Sequence, residues 1–335
     1  MENKNFENDV PQKSKSFEIP IPVAIIIAGA LLAGALMYNN WINIPGTQQK
    51  AIVAQSKAEQ VQKTELEKEI LPVAGVELPV TWGDLGKKLI SAGVIDEQKF
   101  KDVYSGQFTD EYQKLLTGNN ESKIIINDNN AGYLLNLFWA LGLSNGNEIL
   151  NDPKEMKNPQ YRGAANFAST GGWTVAVGSA MDHYNRHLFF QLTLEQQALV
   201  DKISRGVYRP CCGNSTHFPD CNHGMAMLGL LELMASQGAS EQDMWKAALA
   251  VNSYWFPDTY LTIATYMKGK GVEWKDVNPQ EILGANYSSG QGFARISAQV
   301  APVSGSRSGG GCGIGSGAAA ETVSQPQRKQ SGCGL

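Results

Sequence analysis

From Ile19 to Tyr38 the chain runs for twenty residues without a charged side chain. As a helix rising 1.5 Å per residue, a run of that length matches the roughly 30 Å hydrocarbon core of a bilayer. It has no polar face to turn toward water, so it does not suit a soluble helix packed on a domain. Pro20 and Pro22 stand at its entrance, where a missing N–H costs little, and Tyr38 and Trp41 supply aromatic rings for the opposite interface. Ala33-Gly34-Ala35 has the small-x-small form of a signal-peptidase site, but the polar lead and the long apolar run favour an uncleaved anchor. Lys4, Lys13 and Lys15 precede the span and favour a cytoplasmic N-terminus, which puts most of the chain outside the cell membrane.

That anchor orders the rest of the chain. Residues 1–18 are read as a cytoplasmic lead, 19–38 as the single transmembrane helix and 39–79 as stalk and linker. Residues 80–300 form an α-helical extracytoplasmic domain, and 301–335 a flexible Gly/Ser-rich tail. Between Gln48 and Ile70 the Gln, Lys, Glu and Ala content suits a polar helix with local charge pairs such as Glu65–Lys68. Leu71-Pro72 and Leu78-Pro79 mark an extended linker, because a residue preceding proline is driven out of the helical region.

The domain reads as mostly α. Thr81, Thr109, Thr193 and Ser240 resemble N-caps, and Gly93, Gly118, Gly206, Gly238 and Gly269 fall where apolar periodic runs end. Amphipathic stretches lie between them, including 131–141, 194–203, 225–234, 244–254 and 260–267. Lys123–Ile126 and Trp173–Val177 are the candidates for a minor β element. A net charge of −4, with Lys and Arg scattered, excludes nucleic acid as an expected partner.

Chemistry concentrates in one segment of this domain. Between Tyr208 and Gly224 the chain carries Cys211, Cys212, His217, Cys221 and His223, in the pattern C-C-x4-H-x3-C-x-H. Five soft or borderline donors so close together can supply the four ligands of a tetrahedral zinc ion, with a copper ion as the second choice. Glycine and proline make the first half a loop, which can fold donors inward around one ion. Asp220 or Asn222 is expected to cap the helix that follows, placing Cys221 and His223 at its N-terminus, where the helix dipole favours thiolate. His183 and His187, four residues apart, would share one face of a helix and form a possible extension of the same site.

Two other readings stand beside the metal site. In an oxidising compartment the three cysteines can be disulfide staples of a surface interaction domain. Alternatively Cys211, Cys212 and Cys221 exchange thiols with Cys312 and Cys333, each flanked by glycine in the tail, as a thiol-disulfide redox protein that takes a protein or thiol partner there. The closing Ser331-Gly332-Cys333-Gly334-Leu335 resembles the glycine-flanked terminal redox tails of thioredoxin reductases, a likeness limited to those residues. No Ser-His-Asp pattern, phosphate-binding glycine loop or dinucleotide fingerprint is present, so no nucleotide cofactor is expected and the sequence assigns no catalytic residue.

Overall fold

The computed structural model describes residues 65–300; the run at 19–38 expected to be an anchor, most of the expected stalk, and Cys312 and Cys333 lie outside them. No described helix is long and apolar enough to cross a membrane. Strands β1 (Val76–Gly83) and β2 (Asn120–Ile126) pair antiparallel, with Val76 opposite Ile126 and Gly83 opposite Asn120. Three short helices, α1 (Leu85–Ser91), α2 (Glu97–Val103) and α3 (Asp110–Thr117), fill the connection between them. After α4 (Ala131–Ser144) comes a long irregular passage holding the single-turn helices α5 (Ala168–Gly171) and α6 (Ala180–His183). The chain then builds α7 (Leu194–Gly206), α8 (Asn222–Ser236), α9 (Glu241–Trp255) and α10 (Pro257–Gly269). It closes on α11 (Pro279–Leu283), α12 (Ala285–Ser288) and α13 (Gly290–Ser297). The described region is thus mostly helical with one small sheet.

The centre of the domain is the pair α4 and α8. Every residue of α4 is buried, and so is every residue of α8 except Ser236. A helix apolar on all sides must be enclosed by other elements, and these two enclose each other. Their backbones touch: a Cβ on Gly142 would lie 2.1 Å from Met225 O, and one on Gly229 would lie 2.3 Å from Phe138 O. Glycine at both positions is what allows the contact.

Several local signals are realised as expected. Thr109, Thr193 and Ser240 accept from the backbone N–H three residues on, and Thr193 completes a capping box with Gln196. Gly93 and Gly238 adopt left-handed φ of +77° and +76° after their helices. Other signals fall out differently. Gly118 ends α3 in an extended conformation, and Gly206 and Gly269 are the last residues inside their helices. Thr81 lies within β1, and α1 begins after Asp84.

Residues 76–83 form a strand rather than a linker. Leu78, Val80 and Trp82 alternate inward and are buried, and Pro79 is tolerated because both strands of a two-stranded sheet have a free edge. Leu66, Ile70 and Leu71 also pack into the core, so the end of the stretch read as stalk belongs to the packed body. Trp173–Val177 is neither strand nor helix. It is pinned along residues 93–96, with Asp96 N donating to Val175 O at 2.7 Å and Val177 N to Gly93 O at 2.9 Å.

Candidate metal centre

The loop between α7 and α8 is held at several points before it reaches the cysteines. Tyr208 and Ser215 form an antiparallel bridge, and Thr216 N donates to Val207 O at 2.8 Å. Tyr208 N donates to Leu283 O at 2.8 Å, tying the loop to α11. Gly213, at φ +85°, turns the chain back so that Cys211 and Cys212 face the start of α8. The residue that caps α8 is Cys221 itself, between the two polar candidates the sequence offers: its Sγ accepts from Gly224 N at 3.4 Å.

Three sulfurs meet there. Cys211 Sγ lies 3.7 Å from Cys221 Sγ and 3.8 Å from Cys212 Sγ, and Cys212 and Cys221 are 3.9 Å apart. None of the three is bridged. A disulfide needs about 2.05 Å between sulfurs, so these distances are those of separate thiols. His223, one residue into α8, brings a ring nitrogen within 4.8 Å of the Cys211 and Cys221 sulfurs. Its Nδ1 is buried without a hydrogen-bond partner. Cys221 and His223 are buried and Cys211 and Cys212 half-buried, so the cluster is largely withdrawn from water.

Arg209 and Asp220 complete the surroundings. Arg209 has no exposed surface; its Nη2 donates to Asp220 Oδ1 at 2.7 Å, to Phe218 O at 3.1 Å and to Cys212 Sγ at 3.2 Å. Asn214 Nδ2 donates to the other Asp220 oxygen at 2.7 Å. Burial works against the Arg209 charge, but Cys221, Cys212, Asp220 and Cys211 together hold its pKa well above the ordinary value. The hydrogen bonds from Cys211 and Cys212 hold the Cys221 thiol well below the ordinary range, against burial and with help from Arg209. Its own hydrogen bonds to Cys212 and Cys221, together with burial, push the Cys211 thiol up. Of these two thiols, Cys221 is the one whose surroundings favour the thiolate. Burial, reinforced by Arg209, lowers His223 to about 3, which keeps the ring neutral and its lone pair available. Burial raises Asp220 to about 6 despite Arg209.

The other predicted donors are placed elsewhere. His217 is buried and turned away, with Nε2 2.9 Å from Asp201 Oδ1 and Nδ1 bonded to Glu155 Oε2. Burial disfavours its charged form, but the Glu155 hydrogen bond and charge, with Asp201, hold its pKa above the ordinary value. With Asp152 and Glu155 it forms a second, oxygen-rich group of donors. His183 and His187 contact each other across 3.1 Å, although α6 ends at His183 and the pair is not on one helix. His183 Nε2 donates to Val177 O at 2.9 Å, and its Nδ1 faces His187 Nε2. Burial, followed by His183 and Arg186, lowers the His187 pKa. Among the described residues this pair joins no cluster of three donors.

A cavity of about 440 Å³ adjoins the centre, lined in part by Tyr161, Phe167, Phe218, Asn214 and Asp220. None of the three cysteines and no atom of His223 contributes to its wall. Asp220 is the link, with Oδ1 3.7 Å from Cys212 Sγ. Arg209 stands two residues before Cys211, but its burial against Gly224 at the start of α8 is a matter of packing that the letters around it do not carry. Glu155 and Asp201 left no local trace, since they reach His217 from other segments. No protein-family model, no curated protein and no solved structure matches the chain.

Proposed function

We propose that this is a membrane-anchored, extracytoplasmic metal-binding protein in which Cys211, Cys212, Cys221 and His223 close on one zinc ion. The observation that carries the reading is the spacing of the sulfurs. Zinc bound to thiolates at about 2.3 Å in a tetrahedron sets its sulfurs about 3.8 Å apart, and the three distances of 3.7, 3.8 and 3.9 Å bracket that edge. The unpartnered, neutral His223 Nδ1 supports it, because a buried ring nitrogen with no hydrogen bond is costly unless something fills it. Four protein donors leave no position for substrate, and the adjoining cavity meets the centre only through Asp220, so a structural ion fits better than a catalytic one. When bound, the ion would tie the Cys211–Cys212 turn to the start of α8. Copper as Cu(I), which prefers the same soft donors, is the second choice.

The test is metal analysis of the full chain purified in detergent. One zinc per chain is expected, lost in Cys221→Ser and in His223→Ala and kept in Cys312→Ser and Cys333→Ser. Copper in place of zinc would select the second ion. A metal-free protein whose thiol count changes reversibly with oxidant would replace this reading with the thiol-exchange one.

A further inference from the structure

Arg209 is a guanidinium removed entirely from water, and its bonding is lopsided. Nη2 makes the contacts to Asp220, Phe218 and Cys212, while Nε and Nη1 are buried with no acceptor. The side chain lies against the first turn of α8: a Cβ on Gly224 would sit 2.6 Å from Arg209 Cζ and 2.8 Å from Nη1. Its single carboxylate partner is shared with Asn214. A buried cation is expensive unless neutralised, and one shared carboxylate with two idle donors is thin compensation. The remaining groups beside it are the three cysteine sulfurs. If all three are thiolates on a divalent ion with a neutral imidazole, the metal cluster carries one negative charge, so that together with the Asp220 carboxylate it sets two negative charges around the single positive charge of Arg209.

We propose that Arg209 is the built-in counter-ion of the thiolate cluster: a positioning residue that ligates nothing but sets how tightly the three-thiolate centre holds zinc. The proposal rests on the Cys/His donor set argued above. Its N–H to Cys212 Sγ contact is a charge-assisted hydrogen bond of the kind that stabilises a ligating sulfur. Gly224 is then needed beside it, since any side chain there would displace the guanidinium.

The full-length protein and its Arg209→Lys, Arg209→Met, Arg209→Gln and Cys221→Ser variants are titrated with Zn²⁺ against a coloured chelator, and with Co²⁺ to read the sulfur-to-cobalt charge-transfer band. Arg209→Met and Arg209→Gln should reach the wild-type band intensity at saturating Co²⁺, showing an intact ligand set, yet bind Zn²⁺ about tenfold or more weaker. Arg209→Lys, which keeps the charge, should recover most of that loss. Wild-type affinity in the uncharged variants overturns the proposal, and so does a lysine variant as weak as the methionine one, because the loss would then be one of packing. A wild-type chain that takes up no zinc, or a Cys221→Ser chain that takes up as much, overturns the donor set itself and the counter-ion with it.

Discussion

Among the described residues, Glu232 joins Arg209 as an ionisable side chain that the fold hides completely. It lies in the middle of α8, where Asn145 Nδ2 donates to Oε2 at 2.8 Å and Oε1 has no donor. Burial raises its pKa to about 8, with Asn145 and Asn147 opposing. The sign of the linkage follows from which state holds the proton. From about pH 4.5 to 8 the folded chain keeps it and the unfolded chain has released it, so stability falls as pH rises through that window and levels off above it. Glu232→Gln removes the charge while keeping an acceptor for Asn145. The variant should match the wild type near pH 4.5 and exceed it increasingly toward pH 8, by an amount on the order of several kcal/mol. Chemical denaturation at a series of pH values checks this, and a difference that does not grow with pH would show the carboxyl to be ionised in the fold. Nothing in the neighbouring letters of the sequence marks Glu232: it occurs once in an apolar run and would suit an exposed position as well. The cysteines and His223 are the opposite case, since their density alone pointed to a site.

At the level of elements, α4 and α8 are held by a contact that side-chain volume decides. Gly142 and Gly229 let the two backbones meet, and a methyl at either position would have to enter a carbonyl oxygen of the partner. Overpacking commonly costs about 1–3 kcal/mol, and a clash with backbone, which has no rotamer to escape into, belongs at the upper end or beyond. Gly229→Ala should lower the denaturation midpoint accordingly, whereas Gly238→Ala, which adds a Cβ where no atom lies within 4 Å but at a φ of +76°, should cost only its left-handed strain. Urea melts of the two variants compare them directly; equal and small losses would mean that the helices can separate freely. Both helices were legible from their apolar runs, α8 also from the polar residues before it and the glycine after it. The strand β1 was not, because Pro79 reads as a break in a strand until its edge position is known.

For the whole molecule, the apolar run at 19–38 and the extracytoplasmic placement of the domain are proposals that rest on sequence alone. They predict that the full chain pellets with membranes through alkaline carbonate extraction and that added protease reaches residues 65–300 from outside intact cells. Release by carbonate, or protection of the domain until the cells are lysed, would overturn the anchor or its orientation. The sequence by itself determined the helical character of the body and the segment in which its chemistry lies, because periodicity, caps and donor density are properties of short stretches. Only the tertiary structure decided which donors meet. It brought Cys211 back to Cys221 and His223, and Cys212 to Cys221 and Asp220, through the turn at Gly213, and handed His217 to Glu155 and Asp201. It also left His183 with His187 and buried Arg209 beside the sulfurs. The cysteines and His223 are close in sequence, but the loop that folds them together is tied down by Leu283, and His217 is claimed by Glu155, 62 positions away; neither partner is visible in the letters of the loop itself.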